Sequence, residues 1–320
     1  MRTLSRDRLL FAALTFLLVF VSYALTLAPT LTFWDAGEFI ATSYSLGIPH
    51  PPGTPLFVLL GHVFGMIPLG IGFAAKTNLM SALVSSIGAF FYFLVLAQVI
   101  GRIDRRRGWE LPRPLIHVAA LGAVCLAAWG LTMWSNSTET EVYTVALMTI
   151  ALVTFLVFYW ADHLTEGKDW NLVLLVVFLM GLSIGNHLMA LLVMPAVVVY
   201  VAWVAWDQYR GYVLSLLVGA LGLYLVVMKG ISVDGLIGGG QIVNPGTMLL
   251  GLLVLAAGAW WMQREGALVF FLAAVAVFIA GASVILYLKI RAGLDPAINE
   301  ANPETWRELL AVLARKQYDV

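Results

Sequence analysis

Apolar runs of about twenty residues recur between residues 9 and 288, each long enough to carry a helix across the roughly 30 Å hydrocarbon core of a bilayer. A backbone in lipid must satisfy its own hydrogen bonds, so such runs are committed to helix. They fall at 9–28, 74–99, 114–134, 141–161, 171–186, 188–206, 211–230, 247–263 and 267–288, about nine spans by length. Composition agrees. Of 320 residues 61% are hydrophobic and 11% charged, with a mean hydropathy of +0.92, where soluble domains carry about 25% charge. The expected fold is an all-α polytopic membrane protein. A formal net charge of zero points to no nucleic-acid partner, and the lone Cys125 excludes a disulfide framework within the chain. The first apolar run exceeds the roughly 7–15 residues of a signal-peptide core and reads as a retained anchor.

Lys and Arg concentrate on the cytoplasmic side of membrane proteins. Arg2, Arg6 and Arg8 place the N-terminus there, and Arg102, Arg105, Arg106, Arg107 and Arg113 do the same for the loop "GRIDRRRGWELPRP". The intervening chain must cross twice, at 9–28 and 74–99, so 29–73 becomes the first extracytoplasmic loop. The apolar stretch 54–70, which carries Gly61, His62, Gly65 and Pro68, is then a helix lying along the interface. Beyond it "WSNSTETE", "IGNH" and "SVDGLIGGGQIVNPG" face out, while "ADHLTEGKDW", "WDQYRG" and "QREG" face in. The "GGG" at 238–240 reads as a flexible loop. Residues 1–290 form the transmembrane module and 291–320 an extracytoplasmic tail. In that tail Asn302 as N-cap and Pro303 at the first helical position predict an amphipathic helix with Trp306, Leu309, Leu310 and Leu313 on one face.

This sidedness gathers the unusual polar residues on one face. Asp35, Glu38 and His50 lie in the first outer loop, "TFWDAGEFIATSYSLGIPHPPGTPLF"; Glu139 and Glu141 in the second outer turn; Asn186 and His187 in the third. Ionisable groups at membrane depth are costly and mark function. Asp35 and Glu38 are spaced i, i+3, so on a helix they point the same way, with Trp34 and Phe39 as interfacial anchors. The prolines of "PHPPGTP" fix backbone angles and set His50 relative to Asp35. Each residue also has a plainer role: Asp35 as a helix cap, Glu38 as a solvated acid, His50 as a turn histidine bonded to backbone, Glu139 or Glu141 as partners of a helix dipole, His187 as a histidine bonded to a carbonyl between two close spans. His62 and His117 read as packing residues.

An acid at an outer rim beside an oily groove suits glycosyl transfer from a lipid-phosphate sugar. A carboxylate takes the acceptor proton opposite the departing phosphate, as in inverting sugar chemistry, and a half-buried acid gains a raised pKa useful for that task. A cation or histidine meets the phosphate oxygens.

The blocks "TFWDAGEFIATSYSLGIPHPPGTPLFVLLG", "WSNSTETEVYTV", "GLSIGNHLM" and "YLKIRAGLDPAINEANPETW" resemble a bacterial membrane family of unassigned function whose eukaryotic relatives include a transmembrane protein O-mannosyltransferase. That family is similar to glycosyltransferases of the GT-C type. The resemblance implies a GT-C-like bundle with interfacial helices in the first outer loop, a polyprenyl-phosphate sugar donor and a protein or glycan acceptor outside the cell membrane. Carried over, it makes Asp35 the general base or acceptor-orienting carboxylate, supported by Glu38. His50, Glu139, Glu141, Asn186 and His187 become substrate-binding residues. Lys76 and Arg291, at span ends, are the cations placed to meet the lipid phosphate, against a plainer reading as snorkelling side chains. Related chains typically continue beyond the equivalent of Val320. No cofactor is expected, with a divalent ion between Asp35, Glu38 and Glu141 as the alternative. A transporter or lipid flippase with an acid/His relay is the competing reading, and it predicts polar residues at mid-membrane and a repeat relating two halves.

Overall fold

The computed structural model describes residues 5–164, 170–238 and 242–316. Parts of the expected "ADHLTEGKDW" loop, of the "GGG" loop and of the tail lie outside these residues. The chain opens with α1 (Arg6–Leu25), capped by Ser5 accepting the Arg8 N–H at 3.4 Å. Two short helices, α2 (Ala36–Ser45) and α3 (Pro55–Gly65), occupy the first loop before the 35-residue α4 (Phe73–Arg107). Next, α5 (Arg113–Ala128) and α6 (Leu131–Thr138) meet at a bend of 70°. After α7 (Tyr143–His163) and α8 (Asn171–Ser183), a 3-10 turn Leu188–Val193 enters α9 (Met194–Tyr224), which continues as a π-helical stretch, Leu225–Gly230. The remainder is α10 (Val233–Gly238), α11 (Pro245–Glu265), α12 (Leu268–Ala282), α13 (Leu286–Ala292) and α14 (Trp306–Leu313).

Among the described residues, six helical stretches are long and apolar enough to cross a membrane, or seven if the bent α5–α6 pair is one span. The expected nine differ from this at two places. α8 has 13 residues, about 20 Å of helix. The runs 188–206 and 211–230 form one continuous stretch, Leu188–Val227. Within it, however, Tyr209 leaves the helical region (φ −131°, ψ 27°). The chain turns back there, because Val198 and Leu217 line one cavity, whereas a straight helix would hold them about 28 Å apart. The returning half packs antiparallel to α11: Gly211 lies against Glu265, Gly222 against Leu255 and Gly251 against Val226. At 11 residues, α3 is too short to span, as its sequence implies.

The core helices have two chemically distinct ends. At one, Arg102 donates to Asp162 Oδ1 (2.7 Å) and Tyr200 OH (2.5 Å), Gln98 Nε2 donates to Asp162 Oδ2 (2.6 Å), and Arg8 donates to Leu94 O and Gln98 Oε1. This network ties α1, α4, α7 and α9. At the other end Asn78 Nδ2 donates to Ala28 O (2.8 Å) and Thr30 O (3.0 Å), strapping the chain after α1 onto α4. The arginine-rich ends and the acid-bearing turns thus sit at opposite ends of the bundle.

The tail helix begins later than its sequence suggests. Thr305, not Asn302, is the N-cap, closing a capping box with Glu308; that box satisfies two amide donors reciprocally. Asn302 precedes the helix in a left-handed turn (φ 36°). Leu309 and Val312 are buried, whereas Trp306 and Leu313 are exposed, so the expected apolar face is split.

Small residues set the closest helix approach. A Cβ at Gly281 would meet Phe178 O at 2.4 Å, and one at Gly181 would meet Phe278 O at 2.4 Å. Gly281→Val should therefore force α8 and α12 apart and destabilise the protein by about 1–3 kcal/mol, read as a lower apparent Tm in detergent. Gly122→Ala, where no atom lies within 4 Å of the added Cβ, should not lower Tm, since Ala is also the better residue within a helix.

Candidate active site

The first loop builds the site from a helix start and a proline corner. Asp35 immediately precedes α2, and its carbonyl accepts the Phe39 N–H at 2.9 Å, yet its side chain makes no capping bond. The carboxylate is left exposed, so the helix-cap role does not account for it. Glu38, one turn on, does the opposite. Its Oε2 meets His50 Nδ1 at 2.7 Å and its Oε1 accepts the His50 backbone N–H at 2.5 Å. The proline corner fixes this approach, with Gly53 N–H donating to His50 O at 2.9 Å. Ligand atoms of Asp35, Glu38 and His50 all lie within 4.8 Å of one another.

Phe39 is not an interfacial anchor. It is buried, with its ring 5.4 Å from Phe57 and 5.7 Å from His50, and it forms the apolar floor of the site. Trp34 does project outward, 93% exposed, from a left-handed backbone (φ 62°).

The second turn is held from beneath. Thr77, Asn78, Ser81 and Ser85 form one polar face of α4. Thr140 Oγ1 donates to Asn78 Oδ1 (2.5 Å) and lies 2.8 Å from Thr77 Oγ1; Glu141 N–H donates to Ser81 Oγ (3.3 Å); Ser137 Oγ donates to Ser85 Oγ (2.9 Å). Glu141 is buried by this arrangement. Burial pushes its carboxyl up to about 7, with Glu139 and Asp35 adding to the rise while the Val142 amide and His50 oppose it. The half-buried acid is expected in the first loop, but Asp35 stays at the surface and it is Glu141 of the second turn that is buried. For His50, burial acts downward, but the Glu38 hydrogen bond and the charges of Glu38, Asp35 and Glu300 outweigh it, and the imidazole is held above its ordinary value.

The third turn packs beside the second. Asn186 is buried and donates from Nδ2 to Val142 O at 3.1 Å; its Oδ1 has no partner among the described residues. Gly185 O accepts the Leu56 N–H at 2.7 Å, linking this turn to α3. His187 Nδ1 accepts the Met189 N–H at 3.1 Å, and its ring meets Tyr143 edge-on at 5.0 Å. Burial, then the charge of Arg315, lowers its pKa.

The two cations expected at the lipid phosphate each hold backbone carbonyls. Lys76 Nζ donates to Gly65 O (3.0 Å) at the C-terminal end of α3. Arg291 donates from Nε to Leu46 O (2.7 Å) and from Nη2 to Ser45 O (3.4 Å) at the end of α2. Each offsets the carbonyl-rich end of a helix. His62 bonds Ser43 O (2.8 Å), and His117 packs on Phe11 and Phe93, as packing histidines should.

Glu300, inside the family-like block near the C-terminus but not among the expected site residues, lies beside the site. Its backbone N–H donates to Ile48 O at 3.1 Å. Burial, then the charge of Glu38, raises its carboxyl, while His50 opposes the rise. The metal-capable trio also differs from the expected one, with His50 in place of Glu141. Glu38 is already satisfied by His50, so an ion there would compete with that pair.

Residues 35–210 match the family described as the protein O-mannosyl-transferase TMEM260 N-terminal domain. The chain belongs to this family. The protein O-mannosyl-transferase tmem260 of Dictyostelium discoideum is 26% identical over 173 residues, covering 53% of this chain and 19% of that protein. TMEM260 of Mus musculus is 25% identical over 166 residues, 52% of this chain and 22% of that protein. The aligned segment therefore spans roughly a fifth of those relatives' length. No solved structure matches the chain. The family segment begins at Asp35 and includes Glu38, His50, Glu139, Glu141, Asn186 and His187, but neither Arg291 nor Glu300.

The Glu141 environment makes stability depend on pH. Its folded value is about 7 against an ordinary 4.5, so between these values the folded chain holds a proton that the unfolded chain releases. This contribution is full at the acidic end and is lost as pH rises through about 7. Glu141→Gln should therefore raise the apparent Tm over the parent at pH 8.5 and equal it at pH 5. A gap that does not vary with pH would mean that Glu141 is ionised throughout.

Proposed function

We propose that the chain is a membrane glycosyltransferase of GT-C-like architecture that moves a mannose-like sugar from a polyprenyl-phosphate donor to an acceptor hydroxyl, on the extracytoplasmic side of the cell membrane, with the N-terminus cytoplasmic. The acceptor is a protein Ser or Thr. The observation that carries this reading is the meeting of Asp35, Glu38 and His50 within 4.8 Å, beside the buried Glu141, at the end of the bundle opposite the arginines. Family membership supports it. So does an apolar cavity of about 350 Å³ lined by Tyr23, Ser85, Gly88, Tyr92 and Met148. It lies one turn, roughly 6 Å, below the Ser81–Glu141 contact and suits part of an isoprenoid chain.

In this reaction the acceptor oxygen attacks the anomeric carbon. The bond from that carbon to the phosphate oxygen breaks, its electron pair leaves with the phosphate, and configuration inverts. The acceptor proton passes to the Asp35 carboxylate, which is exposed and makes no helix-capping bond and so is free to face an incoming hydroxyl. The His50 imidazolium, braced by Glu38, is the cation available to the leaving phosphate. Protonated Glu141 donates to a sugar oxygen, and Asn186 Oδ1 is the spare acceptor nearby. With the chain turning back at Tyr209 and α8 inserted across a thinned bilayer, the bundle reaches nine crossings.

The test uses purified protein with polyprenyl-phosphate mannose and a Ser/Thr peptide. Asp35→Asn should cut transfer by about 10²–10⁴-fold, the usual contribution of a general base. Equal transfer by both proteins would remove Asp35 from the chemistry, and no transfer from any sugar lipid would overturn the transferase reading.

A further inference from the structure

Two buried polar atoms beside the site, Thr54 Oγ1 and Asn186 Oδ1, have no partner among the described residues. Their residues are 3% and 1% exposed. Thr54 immediately precedes α3, where a threonine ordinarily accepts an amide of the first turn from an extended backbone. Its backbone is instead left-handed (φ 31°, ψ 53°), and its side chain makes no capping bond. A β-branched residue is seldom found in that region. Only its carbonyl serves the helix, accepting the Val58 N–H at 3.2 Å. Asn186 commits Nδ2 to Val142 O at 3.1 Å and leaves Oδ1 unused.

The two residues belong to segments in direct contact. Leu56 N–H donates to Gly185 O at 2.7 Å, and a Cβ at Gly185 would lie 3.4 Å from Pro55 Cγ. Thr54 and Asn186 each sit one residue outside this contact. One turn into α3, Phe57 packs with Val142, whose carbonyl Asn186 holds. Glu141 precedes Val142, and Thr54 follows the turn that Gly53 N–H closes on His50 O. The unbonded atoms therefore lie in the buried layer of the candidate site, where its three turns come together.

Their chemistry limits what they take. A hydroxyl donates or accepts, whereas an amide oxygen only accepts. An ionised phosphate or carboxylate brings no donor for Asn186 Oδ1, and neither group carries a charge to draw an ion. A polyol brings both a donor and an acceptor at each hydroxyl. We propose that Thr54 and Asn186 form a hydroxyl-reading subsite, which binds two hydroxyls of the donor's sugar ring and so distinguishes a sugar-bearing lipid phosphate from the bare lipid phosphate. The identity of the donor rests on the transferase reading. A ligand without matching hydroxyls is disfavoured there, because both groups stay unpaired when it binds.

The test measures equilibrium binding of polyprenyl-phosphate mannose and of polyprenyl phosphate to the purified protein, and reads the ratio of the two affinities. General damage to the fold weakens both lipids alike and leaves the ratio in place. Thr54→Val keeps the shape of the side chain and should lower the ratio about 3–10-fold, the worth of one hydrogen bond. Its affinity for bare polyprenyl phosphate should not change. Thr54→Ser should hold the parent ratio. Thr54→Gly, which suits a left-handed backbone, should lower the ratio as Val does and secures the result should the Val variant fold poorly. Asn186→Leu should lower it independently. Equal binding of both lipids by the parent protein would overturn the proposal. So would a parent-like ratio in the Thr54→Val and Thr54→Gly variants, or in Asn186→Leu; ordered water would then serve these atoms. Asp35-dependent transfer with a ratio indifferent to Thr54 would sink this inference alone. A Thr54-dependent ratio with no transfer from any sugar lipid would sink the transferase reading alone.

Discussion

A turn of chain set at the edge of a hydrocarbon layer cannot leave its amides and carbonyls bare, and in this protein the polar face of α4 receives them. Thr77, Asn78, Ser81 and Ser85 lie at the i, i+3/i+4, i+7/i+8 positions of one face. Between them they engage Ala28, Thr30, Ser137, Thr140 and Glu141. A buried donor or acceptor left unmade costs about 1–3 kcal/mol, so this face fixes the route of two separate loops. The entry to α2, and hence Asp35, follows from the strap on Ala28 and Thr30. The depth of Glu141 follows from Ser81. Without that face both acids would be free to seek water.

The same requirement explains Lys76 and Arg291. Helices α2 and α3 are short and end within the structure, so their last carbonyls need donors. Arg291 serves α2 and Lys76 serves α3. Side chains at apolar-run boundaries look like candidates for a ligand phosphate because both tasks call for a cation near the interface. Geometry separates the two, and here it shows what the cations hold.

Much of the arrangement was legible before any coordinates. The i, i+3 spacing of Asp35 and Glu38, and the proline corner that carries His50, are local features, and local features survive folding. The alternation of arginine-rich and acid-rich turns likewise predicted the two ends of the bundle. What escaped the sequence was set by tertiary contact. Phe39 looked like an interfacial aromatic but is enclosed by Phe57 and His50. Asn302–Pro303 offered a helix start, but the Thr305–Glu308 capping box was the stronger one. Glu300 lay in the family-like block near the C-terminus with nothing to single it out, and gained its place only through backbone pairing with Ile48. The serines and threonines of α4 carried no charge, and a search for ionisable residues passes over neutral hydroxyls. The span count was blurred where helix length and hydropathy disagree: at the short α8 and at the Tyr209 turn, which leaves no gap in the helix.

The carboxylates differ by depth rather than by type. Asp35 is exposed and uncommitted. Glu38 is saturated by His50 and acts through it. Glu141, one layer down, is lifted to about 7 by burial and by its acidic neighbours, so in the neutral range it spends much of its time as a hydrogen-bond donor. Environments that push like groups apart are how one site assembles an acceptor, a brace and a donor from a single residue chemistry. The division holds only while the floor beneath stays dry. Flooding the layer around Ser81 would return Glu141 to an ordinary carboxylate.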